Sequence, residues 1–385
     1  MRKSHLGVVL LVGLCVLFTF CYTDAVSQSA PDGEYYLLIG TYGPKDTSDI
    51  YVYKFNSHTG QATFVSAVDG VYNASFQVFS PDHRFVYSVS EANGPEGGSV
   101  YSFSFDAQKG TLKALNHQLS HGKDPCYLAT DRAGNLLLVA NYSSGSLSVF
   151  PLNSNGQIGE VSQVIKHHGS SINKDRQGSA HVHSAIVAPN DRDVFVADLG
   201  MDKVMTYELD HHADTLIAGN PPFIEVTPGH GPRHMAFHPN GKFLYLIQEM
   251  GGNVTGYRYQ PGKLTYLQDV SIVPQGYKEA SSAAIHFSPD GRFLYASNRI
   301  DLNDIVIYAV DPHTGKLTYV GKQNSGGVIP REFAITPDGN FLLAGHRGTG
   351  GIAIFKRDKQ TGMITPTGAN IKVPRVVCLT FAPVP

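Results

Sequence analysis

Short apolar, β-branched and aromatic runs flank a Pro-Asp-Gly type turn again and again along the chain, as in AAIHFSPDGRFLYAS around Pro289. Aligned on that turn, SPDHRFVYSVSE at Pro81, APNDRDVFVADL at Pro189, HPNGKFLYLIQE at Pro239, SPDGRFLYASNR at Pro289 and TPDGNFLLAGHR at Pro337 share one register. TDRAGNLLLVANY fills the same slot at Arg132 without the proline. Apolar runs on both sides of turn chemistry predict a β-hairpin. The hairpins recur about every fifty residues, the period of a stacked or circular repeat. Two more short strands follow each hairpin, as with DIVIYAV at Asp304–Val310, a Thr-Gly-Lys turn and the run 317–320. Four strands in about fifty residues predict a propeller blade.

Six units begin at Ser75, Cys126, His183, Arg233, Ala283 and Arg331, and the two ends of the chain complete each other. The tail PRVVCLTFAP reads as the first strand of a unit that then stops; the head GEYYLLIGTY reads as the second strand of a unit lacking its first. Pairing them makes a seventh blade and closes the ring, which hides sheet edges otherwise open to association. The expected fold is therefore all-β, a seven-bladed β-propeller of four-stranded antiparallel blades, with its N- and C-terminal segments paired in one blade. It forms one domain over 30–385.

Composition adds limits. Arg2 and Lys3 precede an apolar run from Leu6 to Phe20 and then Ala25-Val26-Ser27, so 1–29 reads as a signal peptide and short leader. That predicts an exported, periplasmic protein with no stable membrane span; a lipid anchor at Cys21 is the lesser alternative, because Phe20 is a poor match for the small residue such processing prefers. Cys126 and Cys378 occupy first-strand positions with blade one between them, so buried free thiols are expected. A net charge of −2 with scattered basic residues excludes a nucleic-acid or anionic membrane surface.

In an antiparallel hairpin the start of the first strand lies beside the end of the second, and the first strand lines the propeller axis. Two registers should therefore ring one mouth. The first holds Ser75, Cys126, His183, Arg233, Ala283 and Arg331; the second holds Glu91, Tyr142, Leu199, Glu249, Arg299 and Arg347, with Thr41 from the head. So many ionisable groups in one cleft are costly to desolvate unless they bind or catalyse. The polar segment 166–180 lies between blades two and three and is expected on the same rim. His181 and His183 alternate onto one face of a strand. His167 and His168 read as a solvated loop, and His234 as a packed core histidine. Those four histidines of blades two and three lack a carboxylate or cysteine at a familiar ligand spacing, so neither a metal nor another cofactor is expected.

The segments IGTYG, DPCYLATDRAGNLLLVANYSSGSLSVFPL, RQGSAHVHSAIVAPNDRDVFVADL, GPRHMAFHPNGKFLYLIQE, SPDGRFLYASNR and IPREFAITPDGNFLLAGHR, in that order, resemble the seven-bladed propeller lactonases. That family includes bacterial propeller-type 6-phosphogluconolactonases and fungal carboxy-cis,cis-muconate cyclases. The resemblance places the H-x-H histidine on His183, the GPRH arginine on Arg233, the acid closing that hairpin on Glu249 and the SNR arginine on Arg299. Ala180-His181-Val182-His183 and Gln248-Glu249 depart from the family's usual Pro-His-Pro-His and Asn-Glu, which leaves the substrate open.

What the resemblance implies is hydrolysis of a sugar δ-lactone, with a small-molecule lactone as partner. Glu249 or His183 would transfer protons, and Arg233 and Arg299 would clamp the carbonyl and any carboxylate. His181, Glu91, Arg331, Arg347 and Arg176 are expected to bind substrate, with Arg331 and Arg347 able to hold a phosphate. A muconate-type lactonising cyclase and a non-catalytic ligand-binding or protein-binding propeller are the alternatives.

Overall fold

A computed structural model describes residues 33–43 and 47–385. The expected leader over 1–29, with Cys21, lies outside the described residues. Those residues form seven four-stranded antiparallel sheets arranged as the repeat predicts. In blade four, for example, the order from the axis outward is Pro232–Phe237, Phe243–Gln248, Asn253–Gln260 and Lys263–Ser271.

Burial falls from the axis outward. Second strands such as Leu136–Asn141 and Phe243–Gln248 are buried at every position, because neighbouring blades cover both faces. They read as unbroken apolar runs for that reason. Outer strands such as Gln61–Val68 keep exposed positions, here Gln61, Thr63, Phe64 and Ala67.

The turn register holds in three dimensions. Gly134, Gly241, Gly291 and Gly339 take positive φ two residues after the alignment position, and His83 and Asp191 adopt the same left-handed backbone where the glycine is missing. His and Asp tolerate that region better than β-branched residues do. The turn acids add to it: Asp82, Asp290 and Asp338 each accept a hydrogen bond at Oδ1 from the backbone N–H two residues on.

The core is divided among the interfaces between blades. Seven apolar clusters each join neighbouring blades around the ring, blade seven meeting blade one through Leu38, Val52, Val86 and Phe103. The cluster between blades six and seven draws Leu37, Ile39 and Phe55 from the head, Val376 and Leu379 from the tail, and Phe341 and Leu343 from blade six. Phe55 and Phe341 meet edge-to-face at 5.6 Å.

The ring closes as expected. The tail strand Val376–Pro383 pairs antiparallel with Glu34–Thr41, from Tyr35 opposite Pro383 to Thr41 opposite Val376. Cys126 and Cys378 are buried free thiols. Among the described residues no helix is long and apolar enough to cross a membrane.

Candidate active site

The innermost strands do not alternate cleanly. In blade four the register slips between Pro232 and His234, so Arg233 is the extra residue of a β-bulge. The same slip isolates Cys126 in blade two, His183 in blade three and Arg331 in blade six. A bulge bends the strand and re-aims its extra side chain. Four members of the first register, Cys126, His183, Arg233 and Arg331, are therefore bulged residues at the mouth of the axial channel.

The second register lies just past the end of each second strand: Glu91 follows Ser90, Tyr142 follows Asn141, Glu249 follows Gln248 and Arg299 follows Asn298. Together the two sets enclose a cavity of about 300 Å³, lined by Glu91, Cys126, Tyr142, Arg176, His183, Glu249, Ser281, Arg299 and Arg331.

Glu249 is the hub. Its Oε2 accepts from Arg233 Nε at 2.9 Å and from Arg299 Nη2 at 3.0 Å, and its Oε1 accepts from Arg176 Nη2 at 2.7 Å. Burial works to raise the Glu249 carboxyl, but Arg299, Arg233 and the other cations outweigh it and hold the group well below the usual carboxylate range. His183 Nε2 stands 3.9 Å from Glu249 Oε2. Burial, with the Arg233 charge beside it, holds the His183 imidazole well below its ordinary value, so the ring is neutral at pH 7. The Cys126 Sγ lies 3.8 Å from His183 Nδ1. Burial pushes that thiol up, so no thiolate forms beside the imidazole.

The segment between blades two and three reaches the mouth, as expected. Its buried Gln177 donates to the carbonyl of Leu199 at 2.8 Å and accepts from the Asn173 N–H at 3.2 Å. This ties down the turn from which Arg176 reaches both Glu249 and the Tyr142 hydroxyl, the latter at 3.2 Å.

Several expected positions differ. Arg233 does not line the cavity; it is 1% exposed and lies behind Glu249, with Nη1 donating to the Ala283 carbonyl at 2.7 Å and to His234 Nε2 at 3.1 Å. Burial, Arg299 and Arg331 lower its pKa to about 10. Arg233 Nε is engaged by Glu249 and Nη1 by the wall, so neither of these donors is free for the carbonyl clamp expected of Arg233.

His181 also leaves the cavity. Its ring stacks on Tyr142 at 4.6 Å and Nδ1 donates to the Tyr142 carbonyl at 3.1 Å, because the bulge at His183 breaks the alternation that would have put both rings on one face. Arg347 is withdrawn as well, its guanidinium 5.4 Å from the centroid of the Tyr42 ring. His167 is not a solvated loop residue. It is buried, with Nδ1 donating to Asp198 Oδ2 at 2.7 Å and Nε2 bonded to the Tyr207 hydroxyl at 2.9 Å. His168 is exposed. His234 packs in the wall as expected, against Tyr127 at 5.0 Å and His183 at 5.2 Å.

Tyr42 was not singled out by sequence. Its hydroxyl donates to Glu91 Oε2 at 2.6 Å. Its place next to Thr41, a position of the second register, was the available signal.

A seven-bladed ring with ionised groups gathered at its axial mouth defines a propeller with an enzyme-like central site. Residues 36–381 match the family described as lactonase, 7-bladed beta-propeller, and the chain belongs to that family. It is 36% identical over 331 residues to a 6-phosphogluconolactonase of Formosa agariphila, covering 85% of this chain and 94% of the relative. It is 32% identical over 351 residues to the 6-phosphogluconolactonase of Bacillus subtilis, covering 90% of this chain and 98% of the relative. The structure is similar to that of the periplasmic gluconolactonase of Pseudomonas aeruginosa, with a TM-score of 0.87, 34% identity, and coverage of 91% and 100% of the two chains.

Proposed function

We propose that this protein hydrolyses a sugar δ-lactone to its aldonic acid, with His183 as the base. The observation that carries the reading is the neutral imidazole of His183 facing the same cavity as the guanidinium groups of Arg299 and Arg331. Glu249 already accepts hydrogen bonds from three guanidinium groups, which makes it a poor proton acceptor. It is better suited to fixing the arginines in place.

In this scheme His183 removes a proton from water as the hydroxide attacks the lactone carbonyl carbon. Arg299 spends Nε on the Ser281 carbonyl and Nη2 on Glu249 and the Ser282 carbonyl, leaving Nη1 to stabilise the oxyanion. Collapse of the tetrahedral intermediate breaks the ring C–O bond. The imidazolium then returns its proton to the departing alkoxide, so one water is consumed and one hydroxy acid is formed. Every step falls to side chains, and no cofactor enters the scheme.

The signal-like pattern of 1–29 in the sequence and the periplasmic location stated for the Pseudomonas aeruginosa relative support an exported, periplasmic protein. The convergence of His183, Glu249 and Arg299 disfavours a purely binding propeller, which does not require it. The test is glucono-δ-lactone hydrolysis by the wild type, His183→Ala and Arg299→Ala, with folding checked by thermal melting. Loss of about a hundredfold in kcat from each folded variant is expected. Wild-type rates in both would remove the assignment.

A further inference from the structure

The cavity has two unlike ends. In the ring order, blades six, seven and one stand across the axis from blades three and four, and they contribute Arg331, Tyr42 and Glu91. At the blade-four end the arginines Arg176, Arg233 and Arg299 surround the single carboxylate of Glu249. That surplus of positive charge lies where the oxyanion and the product carboxylate form. Among the described residues the far end brings one cation, Arg331, and one carboxylate, Glu91, to the cavity wall. Arg331 faces the cavity and, among the described residues, has no hydrogen bond or ion pair, only the Tyr42 ring at 5.4 Å.

Glu91 lines the same wall; among the described residues it forms no ion pair with Arg331, whose charge it supports from further off, and its Oε2 accepts from the Tyr42 hydroxyl. Tyr42 is a firm support for that carboxylate, because the guanidinium groups of Arg331 and Arg347 each stand 5.4 Å from its ring centroid. Burial pushes the phenol up, so it remains a donor. Arg347, the second cation that a phosphate would need, stands 5.4 Å from the same ring and does not line the cavity.

We infer, on the lactonase reading, that the substrate is an uncharged polyhydroxylated lactone and that Glu91 and Arg331 are the residues that select it over its phosphate ester. Glu91 Oε1 accepts from a sugar hydroxyl, while the open donors of Arg331 give hydrogen bonds to hydroxyl oxygens nearby. A phosphate monoester placed against this wall brings about two negative charges toward a carboxylate that, among the described residues, has no cation within ion-pair distance. One guanidinium offsets the repulsion only in part, and a hydroxyl-reading site left with unmatched polar groups loses affinity steeply.

The test compares kcat/KM of the full protein on glucono-δ-lactone and on 6-phosphoglucono-δ-lactone, for the wild type, Glu91→Gln and Arg331→Gln. The wild type should favour the uncharged lactone by about tenfold or more. Glu91→Gln should raise turnover of the phosphate ester while raising KM for the uncharged lactone, so that the ratio narrows. Arg331→Gln should raise KM for the uncharged lactone with kcat little changed, a split that a general loss of structure would not produce. A wild type that prefers the phosphate ester, or a ratio that Glu91→Gln leaves unmoved, overturns the inference and leaves the lactonase reading standing. Hydrolysis of neither compound overturns both.

Discussion

Arg176 Nη2 lies 2.7 Å from Glu249 Oε1, joining a surface segment between blades two and three to the end of a strand in blade four. The arginine side chain is 45% exposed and the carboxylate 7%, so the contact is a movable arm set on a fixed hub. Because solvent screens the arm, its loss should cost little stability. Arg176→Ala should lower kcat/KM by about tenfold, mostly through KM, as one positioned cation at the mouth is lost. Steady-state kinetics beside a thermal melt check this, and an unchanged KM counts against a substrate-facing role.

The hub itself should be far less forgiving. Glu249→Gln leaves Arg233 and Arg299 as buried cations without their counter-charge, at a cost of about 3 kcal/mol. Arg233→Ala removes the support behind Glu249 and should reduce turnover by about a hundredfold although it does not line the cavity. Urea titration and initial rates on the same samples separate the two effects.

The pH profile follows from the environment of His183. Burial and Arg233 hold its pKa well below 6.5, so the neutral, proton-accepting form persists as pH falls through 6.5 and is lost only further into acid. The acid limb of kcat/KM should therefore appear well below pH 6.5. A half-maximal point at 6.5 or above would mean that some other group titrates.

Chemistry confined to side chains predicts indifference to chelators. Turnover after exhaustive dialysis against EDTA should equal that of untreated protein, measured on the same lactone. Activity that disappears and returns with a divalent cation would require a different scheme.

His167 tests the scaffold rather than the reaction. Its two buried hydrogen bonds tie the start of the rim segment to Asp198 and Tyr207. Oδ1 of the same Asp198 accepts from the backbone N–H groups of His181, Gly200 and Met201. His167→Ala should destabilise the fold by about 3 kcal/mol, because a buried carboxylate oxygen loses its partner. Urea denaturation gives the value, and a change below about 1 kcal/mol would show that water replaces the ring.

The periodicity of apolar runs and the turn acids were enough to specify blades, their number and the closure of the ring, because strand pairing and turn chemistry are local and repeat with the chain. The same register placed His183, Glu249, Arg299, Arg331 and Glu91 at the mouth, since position along a strand sets height on the axis. Direction around the strand was another matter. The bulges at His183 and Arg233 appear only when two strands are paired, and they separate His181 from His183 and send Arg233 behind Glu249. Arg347 shares a register with Arg299, yet it stacks on Tyr42, an aromatic ring supplied from the far end of the chain. His167, polar in a polar stretch, is buried because Asp198 and Tyr207 meet it from blade three. Height along the axis is encoded one residue at a time, whereas the direction and company of each side chain depend on strands brought together by closure of the ring.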